Sequence, residues 1–387
     1  MDPVMANRLV PRGVRAKTLV ALLLLGLTLG GPLRCAEAVQ PLQASDGIRR
    51  FGQGELRYFG QVPFLRLSGS YYEMGYDYGV LLRDQLHRAF RDYNALRDSV
   101  LSRYPWYARP FGGIALKMMA RYHWRRVPIH YQQELRGIAE GSGIPLEDVV
   151  FSAVFMEIAS TYCTTILSRT DRGLLHGRNL DFQPIFLGRY PVVIEYNPPG
   201  KFRCLSFSVL GYSGVFTGLN ERGLSVSLNS ALGRGNRAKN TPVTYMVRDL
   251  LEDTATMAQI EESIQGYYAE TGWVLAVGSA TENDGALFDV CLDGLAKTPL
   301  GDRKHLYALN MYVDPAMIKR NTPVFVGGSH YNCARREVIE DYLRQNADFT
   351  LDNMVELLAN ADFAGYRSLI GTGNGTVNNE RTLHTVL

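Results

Sequence analysis

Residues 160–182, STYCTTILSRTDRGLLHGRNLDF, place Cys163 at the start of two strand-like segments. The residues Asp171-Arg172-Gly173 between the segments fit a tight hairpin turn. Cys163 could therefore be a buried core thiol, a disulfide partner, a metal ligand or a nucleophile. The rest of the chain has to distinguish these roles.

The composition is that of a folded globular protein. The chain has 387 residues, of which 46% are hydrophobic and 20% are charged. These values exclude a disordered or fibrous protein, and the length allows one large domain or two small ones.

The N-terminal 38 residues resemble a secretory signal. Four basic residues (Arg8, Arg12, Arg15 and Lys17) precede an apolar run over 18–29, and Ala36-Glu37-Ala38 offers a cleavage site. We expect export to the periplasm or medium in a bacterium, and to a lysosome or the extracellular space in a eukaryote. An uncleaved anchor is the alternative. Without residues 1–38 the chain has 36 basic and 36 acidic residues, which argues against a nucleic-acid partner.

Three cysteines accompany Cys163 in the chain after residue 38, at positions 204, 291 and 333. None has the Cys-x-x-Cys or histidine spacing of a zinc site, so we expect no metal. Cys204 and Cys291 lie in apolar runs and are predicted to be buried, inert thiols. One disulfide among these three residues stays possible in an exported chain.

The chain changes character at Cys163. Before it, apolar periodicity predicts helices over 73–101, 131–140 and 146–158. After it come short apolar strand-like segments separated by Gly, Asn and Pro, followed by helical patterns at 244–251, 335–343 and 351–360. This order predicts an α+β protein.

Residues 104–131 are rich in aromatic and basic side chains. Trp106, Met118, Tyr122 and Trp124 alternate there with arginines. One interpretation is an amphipathic helix packed on the core with solvated arginines. The other is a surface that binds substrate acyl chains and touches lipid, with these four residues as substrate contacts.

The surroundings of Cys163 restrict how its thiol could be activated. A free cysteine has a pKa of about 8.5 and needs activation to act as a nucleophile. The local sequence does not match a papain-like site. A second route uses the cysteine's own α-amine as the base, which requires Cys163 to be the first residue of a chain. The Tyr162–Cys163 bond would then have to be cut.

The segments Cys163-Thr164-Thr165-Ile166 and 176–182, HGRNLDF, resemble the N-terminal-nucleophile hydrolases. The similar groups are acid ceramidase, N-acylethanolamine acid amidase, penicillin acyltransferase and the choloylglycine hydrolases. Residues 218–229 and 69–79 resemble the same superfamily. The resemblance implies a four-layer αββα sandwich of two antiparallel sheets flanked by helices. It divides the chain into a signal (1–38), a mainly helical fragment (39–162) and a catalytic fragment (163–387), which stay associated after cleavage.

The resemblance also implies roles for three residues of the opening stretch. Cys163 is the nucleophile and its freed amine the base, Asp181 holds that amine, and Arg178 stabilises the thiolate. On a regular strand residues 178 and 181 face opposite sides, so a shared role needs a bulge or a strand end. A structural ion pair between Arg178 and Asp181 is the alternative. His176 shares the parity of Arg178 and is predicted to be a packed or hydrogen-bonded histidine.

Further site residues follow from the same resemblance. Asn229 and Asn310 would donate to the oxyanion and to the substrate amide. Arg335 or Arg336 would be a charge partner, and spacing does not choose between them. No metal or organic cofactor is implied.

The leading hypothesis is an exported, self-cleaving amidase that hydrolyses N-acyl substrates, preferably fatty amides of the N-acylethanolamine or ceramide type, through an acyl-enzyme on Cys163. A second enzymatic hypothesis is acyl transfer, or hydrolysis of β-lactam or bile-acid conjugates. A third, of another class, is a catalytically inactive lipid-binding protein.

Overall fold

A computed structural model gives the fold. It describes residues 47–102, 105–158, 161–182, 185–231, 241–267, 269, 272–291, 294–319, 326–346, 348–360, 377 and 382–387. The predicted signal at 1–38 lies outside these residues. The described chain forms two β-sheets with helices on their outer faces, which confirms the predicted α+β class.

Fourteen strands and ten α-helices are defined in the described residues. The strands are β1 (Arg49–Phe51), β2 (Gly54–Phe59), β3 (Val62–Ser68), β4 (Thr161–Thr170), β5 (Gly173–Phe182), β6 (Pro191–Asn197), β7 (Cys204–Val209), β8 (Thr217–Asn220), β9 (Leu224–Ser230), β10 (Trp273–Ser279), β11 (Asp284–Cys291), β12 (Gly294–Pro299), β13 (His305–Ala308) and β14 (Thr382–Val386). The helices are α1 (Tyr71–Leu81), α2 (Arg83–Ser102), α3 (Arg109–Trp124), α4 (Ile129–Ser142), α5 (Leu146–Ile158), α6 (Val243–Asp253), α7 (Met257–Ile264), α8 (Pro315–Ile318), α9 (Val326–Gln345) and α10 (Leu351–Ala359).

The two sheets differ in size and in strand direction. Sheet A has ten strands in the order β1-β2-β3-β6-β7-β8-β9-β10-β11-β12, and sheet B has four in the order β13-β4-β5-β14. Sheet A is not wholly antiparallel as predicted, because β3 and β6 pair in parallel from Phe64↔Val193 to Ser68↔Asn197. Five helices and the β4–β5 hairpin separate these strands in sequence, which is the long connection that parallel neighbours need.

The fragment before Cys163 is less purely helical than predicted. Residues 49–68 contain β1, β2 and β3, which make one edge of sheet A. These strands are short and carry charged residues on their exposed faces, so their apolar periodicity is weak. The β3–β6 pairing joins the fragment 39–162 to the fragment 163–387 through a continuous sheet.

The layers are helix, sheet A, sheet B and helix. Helices α1, α6 and α7 pack on sheet A, strand β4 packs on β9, and α10 packs on β5. Helices α1 and α4 touch through glycines, since a Cβ on Gly75 would lie 2.0 Å from the Glu134 carbonyl oxygen and one on Gly137 would lie 2.3 Å from that of Tyr72. The four-layer arrangement therefore confirms the predicted sandwich.

Local predictions around these layers are largely confirmed. The β4–β5 hairpin turns at Asp171-Arg172, and Gly173 follows with a φ of +119° that favours glycine. The helix expected over 73–101 is two helices, α1 and α2, separated by Leu82. No helix among the described residues is long and apolar enough to cross a membrane.

The cysteines downstream of Cys163 do not form the disulfide that the sequence allowed. Cys204 and Cys333 carry free thiols, so no bond joins any two of the three residues. Cys204 and Cys291 are buried, as predicted. Burial raises the pKa of the Cys204 thiol well above its usual range, which keeps this thiol protonated and unreactive.

Candidate active site

Cys163 lies inside the molecule, between the two sheets. It is the third residue of β4, opposite Leu180 of β5, and its side chain has no accessible surface. Residues paired across an antiparallel ladder point to one face, and alternate residues share it. Thr165, His176 and Arg178 therefore lie on the face of sheet B that carries Cys163. This face packs on β9 of sheet A.

The guanidinium of Arg178 holds the thiol of Cys163. Its Nη2 donates to Sγ over 3.1 Å. The same group donates to the carbonyl oxygens of Phe216 and Leu228 and to Oγ1 of Thr217. These acceptors are uncharged, so the positive charge of the buried guanidinium is not cancelled by a carboxylate among them. A thiolate at Cys163 would be stabilised by that charge.

Asp181 lies on the opposite face of the hairpin from Arg178. β4 and β5 pair without a register shift, so the bulge that a shared role required is absent from this pair of strands. The two side chains therefore do not make the ion pair that the sequence also allowed. Asp181 is fully buried, its backbone pairs with Tyr162, and its Oδ1 accepts from Oγ1 of Thr382 over 2.6 Å.

Asn310 and Arg335 fix the backbone of Cys163 at both ends. The Cys163 N–H donates to Oδ1 of Asn310 over 2.7 Å, and Arg335 Nη1 donates to the Cys163 carbonyl oxygen over 2.8 Å. Arg335 Nη1 also reaches Oγ1 of Thr164, and its Nη2 donates to Asn310 Oδ1 over 2.9 Å. The backbone of Cys163 is thus held by two buried side chains from outside the hairpin, one on the segment after β13 and one on α9.

The orientation of Asn310 differs from its predicted role as a donor. Two donors, the Cys163 N–H and Arg335 Nη2, meet its side-chain oxygen, while its Nδ2 donates to the Ser230 carbonyl oxygen over 2.9 Å. The carboxamide therefore presents an acceptor to the nitrogen of Cys163. Sequence alone could not predict this orientation, because it depends on Arg335, which lies 25 residues away.

Asn332 is a further residue of the site that the sequence did not indicate. Its Oδ1 accepts from Arg335 Nη2 over 2.8 Å and from the Asn310 N–H over 3.2 Å, and its Nδ2 donates to the Asn310 carbonyl oxygen over 3.0 Å. It therefore braces both residues that hold Cys163. The available signal was its spacing: Asn332 and Arg335 are three residues apart on α9, so they share a helix face.

Asn229 lies on the Cys163 side of the sheet interface. Its Oδ1 accepts from Oγ1 of Thr165 over 2.8 Å, and its Nδ2 donates to the Ala308 carbonyl oxygen over 2.8 Å. The second N–H of this amide is only weakly held, since the Leu309 carbonyl oxygen is 3.4 Å from Nδ2. Asn229 is therefore a buried amide with one donor that a ligand could recruit.

Comparisons with known proteins give relatives that include acid amidases and acid ceramidases, although no family model matches the chain. An N-acylethanolamine-hydrolyzing acid amidase of Caenorhabditis elegans is 26% identical over 199 residues, which are 46% of this chain and 55% of the relative. A probable acid ceramidase of Caenorhabditis elegans is 30% identical over 185 residues, 41% of this chain and 46% of the relative. Acid ceramidase of Mus musculus is 28% identical over 165 residues, 36% and 41% of the two chains. The chain is therefore similar to acid amidases and acid ceramidases over less than half of its own length.

The match covers about half the length of these relatives or less. Among solved structures, a Caenorhabditis elegans N-acylethanolamine-hydrolyzing acid amidase ortholog aligns with a TM-score of 0.41 and 21% identity, covering 52% of this chain and 88% of that one. A variant of the conjugated bile acid hydrolase from Clostridium perfringens aligns with a TM-score of 0.36 and 11% identity, covering 54% and 82%.

The structure distinguishes Arg335 from Arg336, the two candidates that the sequence did not separate. Arg335 is fully buried at Cys163, whereas Arg336 is exposed on α9 and does not reach the site. On a helix, residues one apart point in directions about 100° apart, so only one of the pair can face the sheet.

Replacing these two neighbouring arginines is expected to give opposite results. Arg335→Ala should lower the amide hydrolysis that we propose below by about 100-fold or more, because the backbone of Cys163 loses a hydrogen-bond donor that positions it. Arg336→Ala should leave activity unchanged and alter the free energy of unfolding by less than about 0.5 kcal/mol. Initial rates and urea unfolding of both variants check this. Equal losses of activity in the two variants would contradict the assignment.

The aromatic residues of 104–131 do not line the site around Cys163. Trp106, Met118 and Tyr122 are 78%, 66% and 48% exposed, and so they are not packed on the core either. Trp124 is the exception, since it packs partly buried against the core beneath the guanidinium of Arg136. We call the exposed apolar set the α3 surface; its residues are Trp106, Tyr107, Phe111, Ile114, Met118 and Tyr122. The interpretation of a helix packed on the core was wrong for Trp106, Met118 and Tyr122, because apolar spacing does not reveal which face is covered; the interpretation of a lipid-contacting surface stays a prediction.

The described residues contain no group of three or more His, Cys, Asp or Glu side chains placed to hold a metal ion.

Proposed function

We propose that this chain is an exported, self-cleaving cysteine amidase that hydrolyses the C–N amide bond of N-acyl substrates, with fatty amides of the N-acylethanolamine or ceramide type preferred. The observation that supports this most directly is the environment of Cys163. Its thiol accepts from a guanidinium and its N–H donates to the Asn310 oxygen, in a relative of acid amidases and acid ceramidases. A cysteine that uses its own amine as a base needs both its thiol and its nitrogen, and here each of them is held by a hydrogen bond.

Maturation would begin with the intact chain. Sγ of Cys163 attacks the carbonyl carbon of Tyr162, and the peptide nitrogen leaves as the amine of Cys163, giving a thioester. Asn310 Oδ1 holds that nitrogen throughout, since it already accepts its N–H. Water then hydrolyses the thioester, releases the carboxylate of Tyr162 and restores the thiol.

The mature site would use the freed amine as its base. An α-amine has a pKa near 7.7–8.0 when exposed and can take the proton of the thiol. The thiolate, stabilised by Arg178, attacks the substrate carbonyl, and the weakly held N–H of Asn229 donates to the oxyanion. The ammonium of Cys163 protonates the leaving amine, and water then hydrolyses the acyl-enzyme to the free acid.

We assign Asp181 to the new N-terminus. Its register partner is Tyr162, the residue that departs, so cleavage opens the strand end beside its carboxylate. The ammonium of Cys163 at that end can approach the carboxylate from either face, which removes the need for a bulge between Arg178 and Asp181. A buried carboxylate beside an ammonium favours the charged form of both.

The fragments 39–162 and 163–387 would stay associated after cleavage. Strand β3 remains paired with β6 across the break in the chain. The buried carboxylate of Glu134, in the first fragment, remains 2.7 Å from Nη1 of Arg248, in the second. The predicted signal at 1–38 supports export, to an acid compartment in analogy with the acid amidases in the comparison.

The α3 surface supports the lipid part of the proposal. Five of its residues recur at spacings of three and four along 107–122, so they form one exposed apolar stripe. Arg121, Arg125 and Arg126 lie beside it in sequence. Such a helix lies in a lipid interface with its apolar face inserted. We assign the stripe to contact with the membrane or micelle that presents a fatty amide.

Substrate presentation tests the proposal. We expect hydrolysis of long-chain N-acylethanolamines in anionic vesicles, and a rate about 10-fold or more lower in the double variant Phe111→Ser and Met118→Ser, since two apolar side chains no longer insert. A short-chain soluble amide should be hydrolysed equally by both proteins. Val355→Ser, at a similarly exposed apolar position on α10, is the matched control and should change neither rate. Failure on every long acyl chain would remove the lipid part.

A further inference from the structure

A line of polar side chains runs between the two sheets and ends at Asn229. His176 Nε2 lies 2.9 Å from Oγ of Ser227, which lies 3.3 Å from Oγ1 of Thr165. Thr165 Oγ1 in turn lies 2.8 Å from Oδ1 of Asn229. At the far end, His176 Nδ1 is 2.8 Å from Oγ of Ser225. The catalytic steps above do not use His176, Ser227 or Thr165.

The number of hydroxyl protons fixes the direction of every bond in this line. The Asn229 oxygen can only accept, so the single hydroxyl proton of Thr165 is donated to it. The oxygen of Thr165 must then accept a hydrogen bond from Ser227, whose single hydroxyl proton is used in that bond. Ser227 can then only accept from His176, and Nε2 of the ring must carry a proton. Ser225 has two possible acceptors, and its proton goes to the lone pair on Nδ1 at 2.8 Å rather than to the Gly278 carbonyl oxygen at 3.4 Å.

We propose that His176, as the neutral Nε2–H tautomer, is a positioning residue that fixes the carboxamide of Asn229 beside Cys163 through Ser227 and Thr165. The inference rests on the proposed function, in which Asn229 donates to the oxyanion. Without the proton of His176, Ser227 can turn its hydroxyl, Thr165 can lose its acceptor role, and the amide can rotate its oxygen toward the substrate. An oxyanion facing an amide oxygen would be destabilised.

The surroundings of the ring keep it neutral in acid. The charged group facing it from its own strand is Arg178, two residues away on the same face. Strand β9 contributes Ser225 and Ser227, β4 contributes Leu167, and β10 contributes Gly278, whose absent side chain leaves room for the ring. Burial and the charge of Arg178 lower the pKa of His176 to about 3. The line of hydrogen bonds therefore persists at the acid pH expected for this enzyme.

Substitutions of His176 and Thr165 separate a positioning role of His176 from a packing role. His176→Leu keeps the size of the side chain but removes the donor, so kcat should fall about 10- to 100-fold while KM changes little. His176→Gln places an amide N–H near the position of Nε2 and should recover most of kcat. Thr165→Val breaks the line next to Asn229 and should reproduce the loss.

His305→Leu is the matched control. This histidine lies on β13 of sheet B, is also partly buried and is hydrogen-bonded to a serine, Ser168, but its side chain lies outside the line that ends at Asn229. Its replacement should leave kcat unchanged. An unchanged kcat in His176→Leu, or equal losses in the Leu and Gln variants, would overturn the proposal.

A measurement without turnover separates this inference from the amidase proposal. The full chain carrying Cys163→Ala, with ¹⁵N-labelled histidine, should show a His176 signal of the neutral Nε2–H form at pH 5, assigned by its loss in His176→Gln. A protonated ring or an Nδ1–H tautomer would overturn the inference even in an active amidase. If His176 has the expected tautomer but the protein with Cys163 intact does not hydrolyse amides, the result would count against the proposed function alone.

Discussion

Replacing Cys163 with alanine is expected to leave the full-length chain uncut and to lower amide hydrolysis by at least about 10⁴-fold. The same sulfur would perform both reactions, first on Tyr162 and then on the substrate. The cavity left by one sulfur atom is small, and the buried contacts of Arg178 with three other acceptors remain. The fold should therefore survive while both reactions stop.

Intact mass of purified protein, incubated at about pH 5 and at neutral pH, measures the first effect. Wild-type protein should yield two fragments separated between Tyr162 and Cys163, and the variant should not. Cys204→Ala is the control, since Cys204 is a buried thiol outside the site. It should be cut and active like the wild type. Cleavage at the same bond in Cys163→Ala would show that another group, or a protease, performs it.

The parts of the site that were predictable from sequence are those fixed by local rules. Strand alternation and a two-residue turn suffice to bring Arg178 to the face of Cys163, and a hairpin needs no information from elsewhere in the chain. The same alternation correctly separated Arg178 from Asp181. The apolar pattern of α9 is too weak to show which side of the helix is buried. The sequence therefore does not distinguish Arg335 from Arg336.

Features that depend on what covers a surface were not predictable. In LSVSLNS, over 224–230, alternation marks the polar residues as solvent-facing, yet Ser227 and Asn229 are fully buried against sheet B. The apolar residues of α3 gave the opposite error, because they are exposed. Periodicity shows that an element has two different faces. Which face is buried depends on how a second layer packs on it.

Removing Arg248 is expected to cost the largest amount of stability of any single substitution considered for this chain. Its Nε donates to Glu252 over 2.8 Å, its Nη1 lies 2.7 Å from Glu134, and its guanidinium centre lies 3.6 Å from the ring centre of Tyr196. All of these side chains are essentially inaccessible. Arg248→Met leaves two buried carboxylates without their cation, which costs about 3–5 kcal/mol of unfolding free energy.

The loss should depend on pH. Burial raises the pKa of Glu134 even in the presence of Arg248. A carboxyl whose pKa is raised by folding binds more protons in the folded state, so its contribution to stability falls as the pH rises through that value. Without the guanidinium the pKa of Glu134 rises further. Urea unfolding of Arg248→Met should therefore show a greater loss at pH 7 than at pH 5.

In the proposed matured protein the same interaction would link two chains. Glu134 belongs to 39–162 and Arg248 to 163–387, so native mass spectrometry at pH 7 should find the wild-type fragments together and those of Arg248→Met partly separated. Arg344→Met, which breaks an exposed pair with Asp341, should change neither association nor stability beyond about 0.5 kcal/mol. If the fragments of Arg248→Met stay fully associated at pH 7, the β3–β6 pairing and the apolar core hold them together instead. In that case the buried ion pair would specify how the helices dock without contributing net stability.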